Sequence, residues 1–147
     1  MYRHTQIGWT IICILGIIFL FTASNIFKGD AVAFAGAILL LAIVMFAKLT
    51  ITLDDTHIRL VFGLIGFPRR TFRLADIESC YTDKNLMYAI SLGIHYGLRG
   101  SLYNVSGPWV VVLVMKNGRK VNIGTDEPEK LKQAIAEKLA NFKGVLR

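Results

Sequence analysis

The chain has 147 residues, a formal net charge of +7 and a hydrophobic content of 54%. That length allows one folded domain besides an apolar N-terminal part. The basic residues form no stripe interleaved with aromatic residues, which argues against a nucleic-acid partner. The two cysteines, Cys13 and Cys80, lie in unrelated segments, which fits a reducing compartment. No pair of Cys or His residues has metal-ligand spacing, so we expect neither a metal nor a cofactor.

The N-terminal part is almost wholly apolar from Ile7 to Ala47 and is interrupted by a polar turn at residues 28–30. As a helix, residues 7–27 are long enough to span a bilayer core of about 30 Å. Residues 31–47 are close to the shortest helix that spans. The sequence therefore predicts a two-helix transmembrane hairpin over residues 1–48, with helices at about 7–27 and 31–47.

Three other interpretations of this part stay open. It resembles a cleaved signal peptide, although the apolar run is longer than is usual and a second run follows. It is also compatible with a buried helix pair, or with a second segment that re-enters the membrane without crossing it. Basic residues flank the apolar part on both sides, beginning with Arg3 and Lys48. This distribution predicts a multi-pass inner-membrane protein with both termini in the cytoplasm.

The rest of the chain, residues 49–147, shows the pattern of a strand-rich cytoplasmic domain. Alternating apolar and polar residues predict half-buried strands, and the apolar run at 109–115 predicts a central strand. Asn117-Gly118 predicts a type I′ hairpin turn. Asp126 is a suitable N-cap for an amphipathic helix at about 127–142. The predicted strands cover residues 49–53, 57–62, 67–74, 77–82, 102–105, 109–115 and 119–123.

Strands followed by one amphipathic helix resemble the pleckstrin-homology (PH) fold, and the chain resembles bacterial PH-like membrane proteins with a helical hairpin. The likeness is carried by Leu-Ala-Asp-Ile-Glu-Ser at 74–79, by Leu-Tyr-Asn-Val-Ser-Gly at 102–107 and by Ile-Gly-Thr-Asp-Glu-Pro at 123–128. The resemblance implies an α+β domain after the hairpin, built as a bent antiparallel barrel of about six or seven strands capped by a C-terminal helix. It also implies a binding module of a subgroup without an assigned activity.

Two groups of residues are candidates for binding. Arg69, Arg70 and Arg73 follow a turn where the PH analogy places anion-binding groups, and they form a candidate lipid or anion site. The alternative is that these arginines are solvated strand residues whose charge discourages edge pairing. The segment 63–67 beside them is apolar and is expected to pack on the hairpin.

The second candidate site lies in the irregular segment between residues 88 and 103. His95, Tyr96, Arg99 and Tyr103 are its candidate partner-binding residues, because Tyr and Arg are enriched in interface hot spots. The alternative is that the glycines of this segment serve only to turn the chain. No nucleophile, base and orienting group have a spacing that indicates catalysis, so we expect a non-enzymatic protein without catalytic residues.

These observations predict a membrane-anchored PH-like module that recruits or regulates a protein partner at the inner membrane surface. One alternative is a module that senses anionic lipids through Arg69, Arg70 and Arg73. Another alternative is a small oligomeric transport or channel subunit that works through its hairpin. Against a channel, the predicted spans contain no ionisable side chain besides Cys13.

Overall fold

The structure is a computed structural model that describes residues 1–23, 30–97 and 100–145. In chain order the elements are β1 (Tyr2–Ile7), α1 (Trp9–Ala23), α2 (Asp30–Phe46), β2 (Lys48–Leu53), β3 (His57–Phe62), β4 (Arg69–Arg73), a 3-10 turn (Leu74–Asp76), β5 (Ile77–Lys84), α3 (Leu86–Ile90), β6 (Gly93–Gly97), β7 (Gly100–Asn104), β8 (Trp109–Met115), β9 (Lys120–Gly124) and α4 (Pro128–Val145). Sheet 1 has four strands in the order β1-β2-β3-β4, and sheet 2 has five in the order β5-β8-β9-β7-β6.

The predicted transmembrane hairpin is wrong, because no described helix is both long and apolar enough to cross a membrane. α1 has 15 residues and α2 has 17. At about 1.5 Å per residue they reach roughly 22 and 26 Å, less than a bilayer core. The predicted first helix included Ile7, which instead ends β1, and residues 24–29 lie outside the described part. The predicted multi-pass inner-membrane location with cytoplasmic termini is contradicted by the same finding.

The predicted closed barrel is also wrong. The described strands form two separate sheets, and each sheet ends in strands that pair on one side only. β4 pairs with β3, and β6 pairs with β7. The two sheets instead pack their inner faces around a shared core, which α4 covers from one side with Leu131, Ile135 and Leu139. Residues of sheet 1 that fill this core include Leu49, Ile51 and Phe62.

The helix pair is inserted between two strands that are neighbours in sheet 1. β1 and β2 are antiparallel, with Ile7 opposite Lys48, and the Gly8 N–H donates to the Ala47 carbonyl at 2.8 Å. Both ends of the insertion therefore leave the sheet at the same place. Large apolar side chains of α1 and α2 are exposed, among them Trp9 and Phe34.

Two details of the loops differ from the predictions. Gly118 has a φ of 80°, whereas no described non-glycine residue has a positive φ. Since a type I′ turn needs positive φ at both central positions, the β8–β9 hairpin has another turn. Asp126 is not the N-cap of α4, because the Leu131 N–H donates to the Glu127 carbonyl, which makes Glu127 the N-cap residue, and the Asp126 carboxylate contacts His4.

The start of the apolar segment 63–67 lies against the end of α2 through its backbone, whereas the side chains of Leu64, Ile65 and Phe67 are exposed and do not pack on the helices as predicted. Gly63 has a φ of 70°, and a Cβ on this residue would come within 2.6 Å of the Met45 carbonyl oxygen. The adjacent Leu64 N–H donates to the Val44 carbonyl at 2.9 Å. A glycine at position 63 thus allows the β3–β4 connection to approach the helix backbone closely.

Candidate functional site

β4 offers a free backbone edge. It is the last strand of sheet 1, and the Leu74 N–H just beyond it donates to the Thr56 carbonyl of the β3 side. In an antiparallel pair, residues that bond to the neighbour alternate with residues that do not. The even-numbered residues of β4 therefore bond to β3. The backbone groups that point to the free edge belong to Arg69, Thr71 and Arg73.

The side chains of β4 are divided between two faces of the sheet. Arg70 stands opposite Leu60, whose side chain is completely buried in the core. Because paired residues share a face, Arg70 is on the core side of β4, at its exposed rim. Arg69 and Arg73 are on the opposite face, since successive strand residues alternate. The three arginines do not form one patch.

A groove runs along the free edge of β4. Its first wall is β4, and its second wall is formed by residues from all five strands of sheet 2, from the β8–β9 turn and from α3. The groove is open, with a volume of about 1040 Å³, large compared with ordinary ligand pockets. Its charged lining residues are three cations and one anion, namely Arg70, Arg119, Lys120 and Asp83.

A hydrogen-bonded cluster joins the two walls of this groove. The Arg70 guanidinium donates from Nη2 to the Tyr96 hydroxyl oxygen at 2.9 Å, although the two residues are 26 positions apart. The Tyr96 and Tyr103 rings meet edge to face, with 6.4 Å between their centroids. Arg70 and Tyr96 are exposed, whereas Tyr103 is buried.

The two phenols of this cluster differ in acidity. The hydrogen bond from Tyr103, and then the one from Arg70, lowers the pKa of Tyr96. Burial, followed by the hydrogen bond to Tyr96, raises the pKa of Tyr103 to about 12. The two causes differ, because hydrogen bonds stabilise the anion of Tyr96 whereas burial disfavours the anion of Tyr103. Tyr96 is therefore the hydroxyl of the pair that loses its proton first.

Aromatic contacts hold Tyr103 in place beneath the groove. Its ring lies 5.8 Å from that of Phe72 and 6.3 Å from that of Phe62, centroid to centroid. Phe62 in turn meets Phe46 of α2 at 5.9 Å. Tilted and edge-to-face contacts at these distances are favourable. The floor of the groove is thus a packed part of the core, which fixes the position of the Tyr103 hydroxyl.

The structure brings together residues from both predicted sites. Arg70 from the predicted anion site meets Tyr96 and Tyr103 from the predicted partner site. His95 is on the opposite face of β6, where its Nε2 is 2.7 Å from the Leu92 carbonyl oxygen. Arg99 lies outside the described residues.

The sequence reasoning missed two cations of the groove, Arg119 and Lys120. Both follow the Asn117-Gly118 turn directly, and the predicted hairpin was the available signal that they lie at a strand end. Within residues 1–23, 30–97 and 100–145, no cluster of three or more His, Cys, Asp or Glu side chains is placed to hold a metal ion.

Comparison with known proteins adds no identity to this site. No protein-family model matches the sequence. No curated protein matches it either. The resemblance to PH-like proteins thus stays a prediction that rests on the residues quoted for it, and what the groove does has to be argued from its own chemistry.

Proposed function

We propose that the chain is a non-enzymatic binding module that takes an extended, acidic segment of a partner protein as an added strand along β4. The observation that carries this proposal is the free edge of β4 beside a cationic groove. Exposed sheet edges recruit peptides in this way in several recognition domains, with backbone bonds for affinity and side-chain pockets for specificity.

The backbone geometry supports strand addition. Arg69, Thr71 and Arg73 each direct an N–H and a C=O away from β3. Such unpaired groups are a template for another strand. An added strand pairs with them without disturbing the ladder between β3 and β4.

The charges support an acidic partner and disfavour a second copy of the same edge. Two copies of β4 would place arginines beside arginines, and like charges opposite each other are unfavourable. A strand carrying Asp or Glu finds Arg69 and Arg73 on one face and Arg70 on the other. Complementary charge also raises the rate of encounter and makes it sensitive to salt.

The two other functions predicted from the sequence gain less support. A lipid-headgroup site at Arg69, Arg70 and Arg73 stays a prediction, because the register of β4 sends these side chains to two faces. A channel or transport subunit required the membrane-spanning hairpin, which the structure does not contain among its described residues.

Proline at position 71 tests strand addition. The substitution Thr71→Pro removes an N–H that points to the free edge, and proline is tolerated at such edge positions. We expect this variant to keep the cooperative unfolding of the parent and to lose binding of an acetylated peptide of alternating Glu and Val, measured by fluorescence anisotropy with the full chain. Thr71→Val keeps the N–H and should bind the peptide like the parent.

Two further results decide the proposal. The same peptide with Lys in place of Glu should not bind. Raising the salt concentration should lower the affinity for the acidic peptide. Equal binding by Thr71→Pro and Thr71→Val would show that the backbone edge is not used. Failure of the parent chain to bind the acidic peptide at low salt would refute the proposed function itself.

A further inference from the structure

The donors at the mouth of the groove exceed the acceptors that face them. A guanidinium carries five N–H donors in a planar fork. Two phenol oxygens, those of Tyr96 and Tyr103, lie beside the Arg70 guanidinium and take at most two of these bonds. The Tyr96 oxygen accepts from Arg70, which leaves the Tyr96 O–H able to donate to another group. Arg70 and Tyr96 therefore both keep donors that their mutual contact does not use.

Further positive charge lies across the groove. Lys120 and Arg119 line the opposite wall, and the Lys120 ammonium lies 5.9 Å from the centroid of the Tyr81 ring. Asp83 is the only carboxylate among the groove-lining residues described, and Arg70 has no ion pair to it within the described part. The lining of the groove thus carries a net positive charge, although Lys120 lies beside Tyr81 rather than beside Arg70.

We infer that Arg70, together with the Tyr96 hydroxyl, binds one carboxylate side chain of the added strand. This inference rests on the proposed function and names the chemistry that selects the partner. A carboxylate has two oxygens that match the fork of a guanidinium, and such charge-assisted bonds are stronger than neutral ones. Tyr103 is a positioning residue, because its ring meets the Tyr96 ring edge to face and is itself held by the core.

The register of β4 gives the position of this carboxylate in the partner. Arg70 lies on the core side of the strand, so a residue opposite it in an added strand also points to the core side, into the groove. Residues on either side of that position point outward, toward Arg69 and Thr71. The acidic residue that selects the partner is therefore one whose side chain enters the groove. Acidic residues of the added strand that point away from the groove contribute long-range attraction only.

Two adjacent arginines provide a matched test of this site. R70Q and R69Q each remove one positive charge from neighbouring exposed positions of β4. We expect R70Q to weaken binding of the acidic peptide by about tenfold or more, because a charge-assisted bidentate contact is lost. R69Q should weaken this binding by less than about threefold, as expected for an exposed charge. Replacing every Glu of the peptide with Gln should abolish the difference between the two variants.

A second readout follows the tyrosine itself. In the free protein, the tyrosinate absorbance should rise first at the pH where Tyr96 titrates. This first step of the titration should be absent in Y96F. With the acidic peptide bound, the titration of Tyr96 should move to higher pH, because a nearby carboxylate disfavours the phenolate and competes for Arg70. The peptide of Glu and Val has no tyrosine, so the signal belongs to the protein.

The outcomes separate this inference from the proposed function. Equal weakening by R70Q and R69Q, or an unmoved Tyr96 titration with peptide bound, would overturn the carboxylate site while strand addition stands. Loss of binding in Thr71→Pro together with those results would identify the backbone as the sole determinant. A parent chain that binds no acidic peptide would overturn both.

Discussion

At the scale of single residues, Asn104 fixes the connection that follows β7. Its side chain is completely buried. It donates to the Tyr88 carbonyl at 2.6 Å and to the Gly107 carbonyl at 3.0 Å, and accepts from the Ser106 N–H at 3.2 Å. A Cβ on Gly124 would come within 2.0 Å of the Asn104 Oδ1. Asn104 and Gly124 belong to the two segments, 102–107 and 123–128, that carry the resemblance to PH-like proteins. These two segments are thus in contact.

We expect Gly124→Ala to lower the free energy of unfolding by about 3 kcal/mol or more, because the added methyl displaces an amide that has three buried partners. Urea unfolding followed by circular dichroism measures this. Gly97→Ala is the control, since nothing lies within 4 Å of its Cβ position, and it should change stability little. In an Asn104→Ala background the effect of Gly124→Ala should largely vanish. A full effect there would show that the clash is not the cause.

The buried phenol of Tyr103 makes stability depend on pH at the alkaline end. Burial raises its pKa from the ordinary 10.0 to about 12. A group whose pKa is raised by folding stabilises the fold below its unfolded pKa, and this stabilisation is lost as pH rises to the folded value. Between about pH 10 and 12, Tyr103→Phe should therefore lose less stability than the parent, measured as the midpoint of thermal unfolding. Parallel curves for the two proteins would contradict this assignment.

At the scale of elements, β1 is fixed by polar contacts of His4 and Gln6 in addition to the packing of Tyr2 on the core. His4 lies 2.6 Å from Asp126 and 3.3 Å from Glu127, with one ring nitrogen toward each carboxylate. The buried Gln6 donates to the Ser106 carbonyl at 2.8 Å. These contacts connect β1 to the start of α4 and to the turn after β7. The strand therefore belongs to the same folded unit as sheet 2, although it precedes the helix pair.

The helix pair should be replaceable by a short turn. Gly8 and Ala47 are joined by a ladder bond of 2.8 Å, so a two-residue Asn-Gly loop in place of residues 9–46 has the right geometry to connect them. We expect the shortened chain to fold, to bind the acidic peptide, and to melt at a lower temperature because Phe46 no longer contacts Phe62. Amide dispersion in NMR spectra and thermal unfolding measure this. A shortened chain without a cooperative transition would show that the helices are required for folding.

At the scale of the whole molecule, the sequence pattern correctly predicted strands that bury one apolar face. The alternation at 49–53 and 57–62 corresponds to β2 and β3, and the apolar run at 109–115 corresponds to β8, which pairs on both sides. β1 escaped detection because its fully buried side chain is Gln6, so its pattern is polar on both faces. Hydrophobic periodicity detects a strand that buries apolar residues on one face. It does not detect a strand whose contacts are made by amide and imidazole side chains.

The groove was beyond sequence reasoning for a different reason. Arg70 and Tyr96 were both predicted as site residues, but in two separate sites, because nothing in their spacing indicates that they meet. Their contact depends on how sheet 1 crosses sheet 2. The predicted second helix matches α2 in length, with 17 residues, whereas Ile7 of the predicted first helix belongs to β1 and the end of that prediction, residues 24–27, lies outside the described residues.

The insertion of α1 and α2 between paired strands has a consequence for the order of folding. β1 and β2 are separated by about forty residues of chain, and closing so long a loop is entropically costly and slow. Once the two helices pack against each other, the start of α1 lies beside the end of α2. The entropy of closing the loop has then already been lost. We therefore expect helix pairing to precede the joining of β1 to sheet 1, and the His4 and Gln6 contacts to form after it. The chain shortened by the Asn-Gly turn should consequently refold faster than the parent, even though it is less stable.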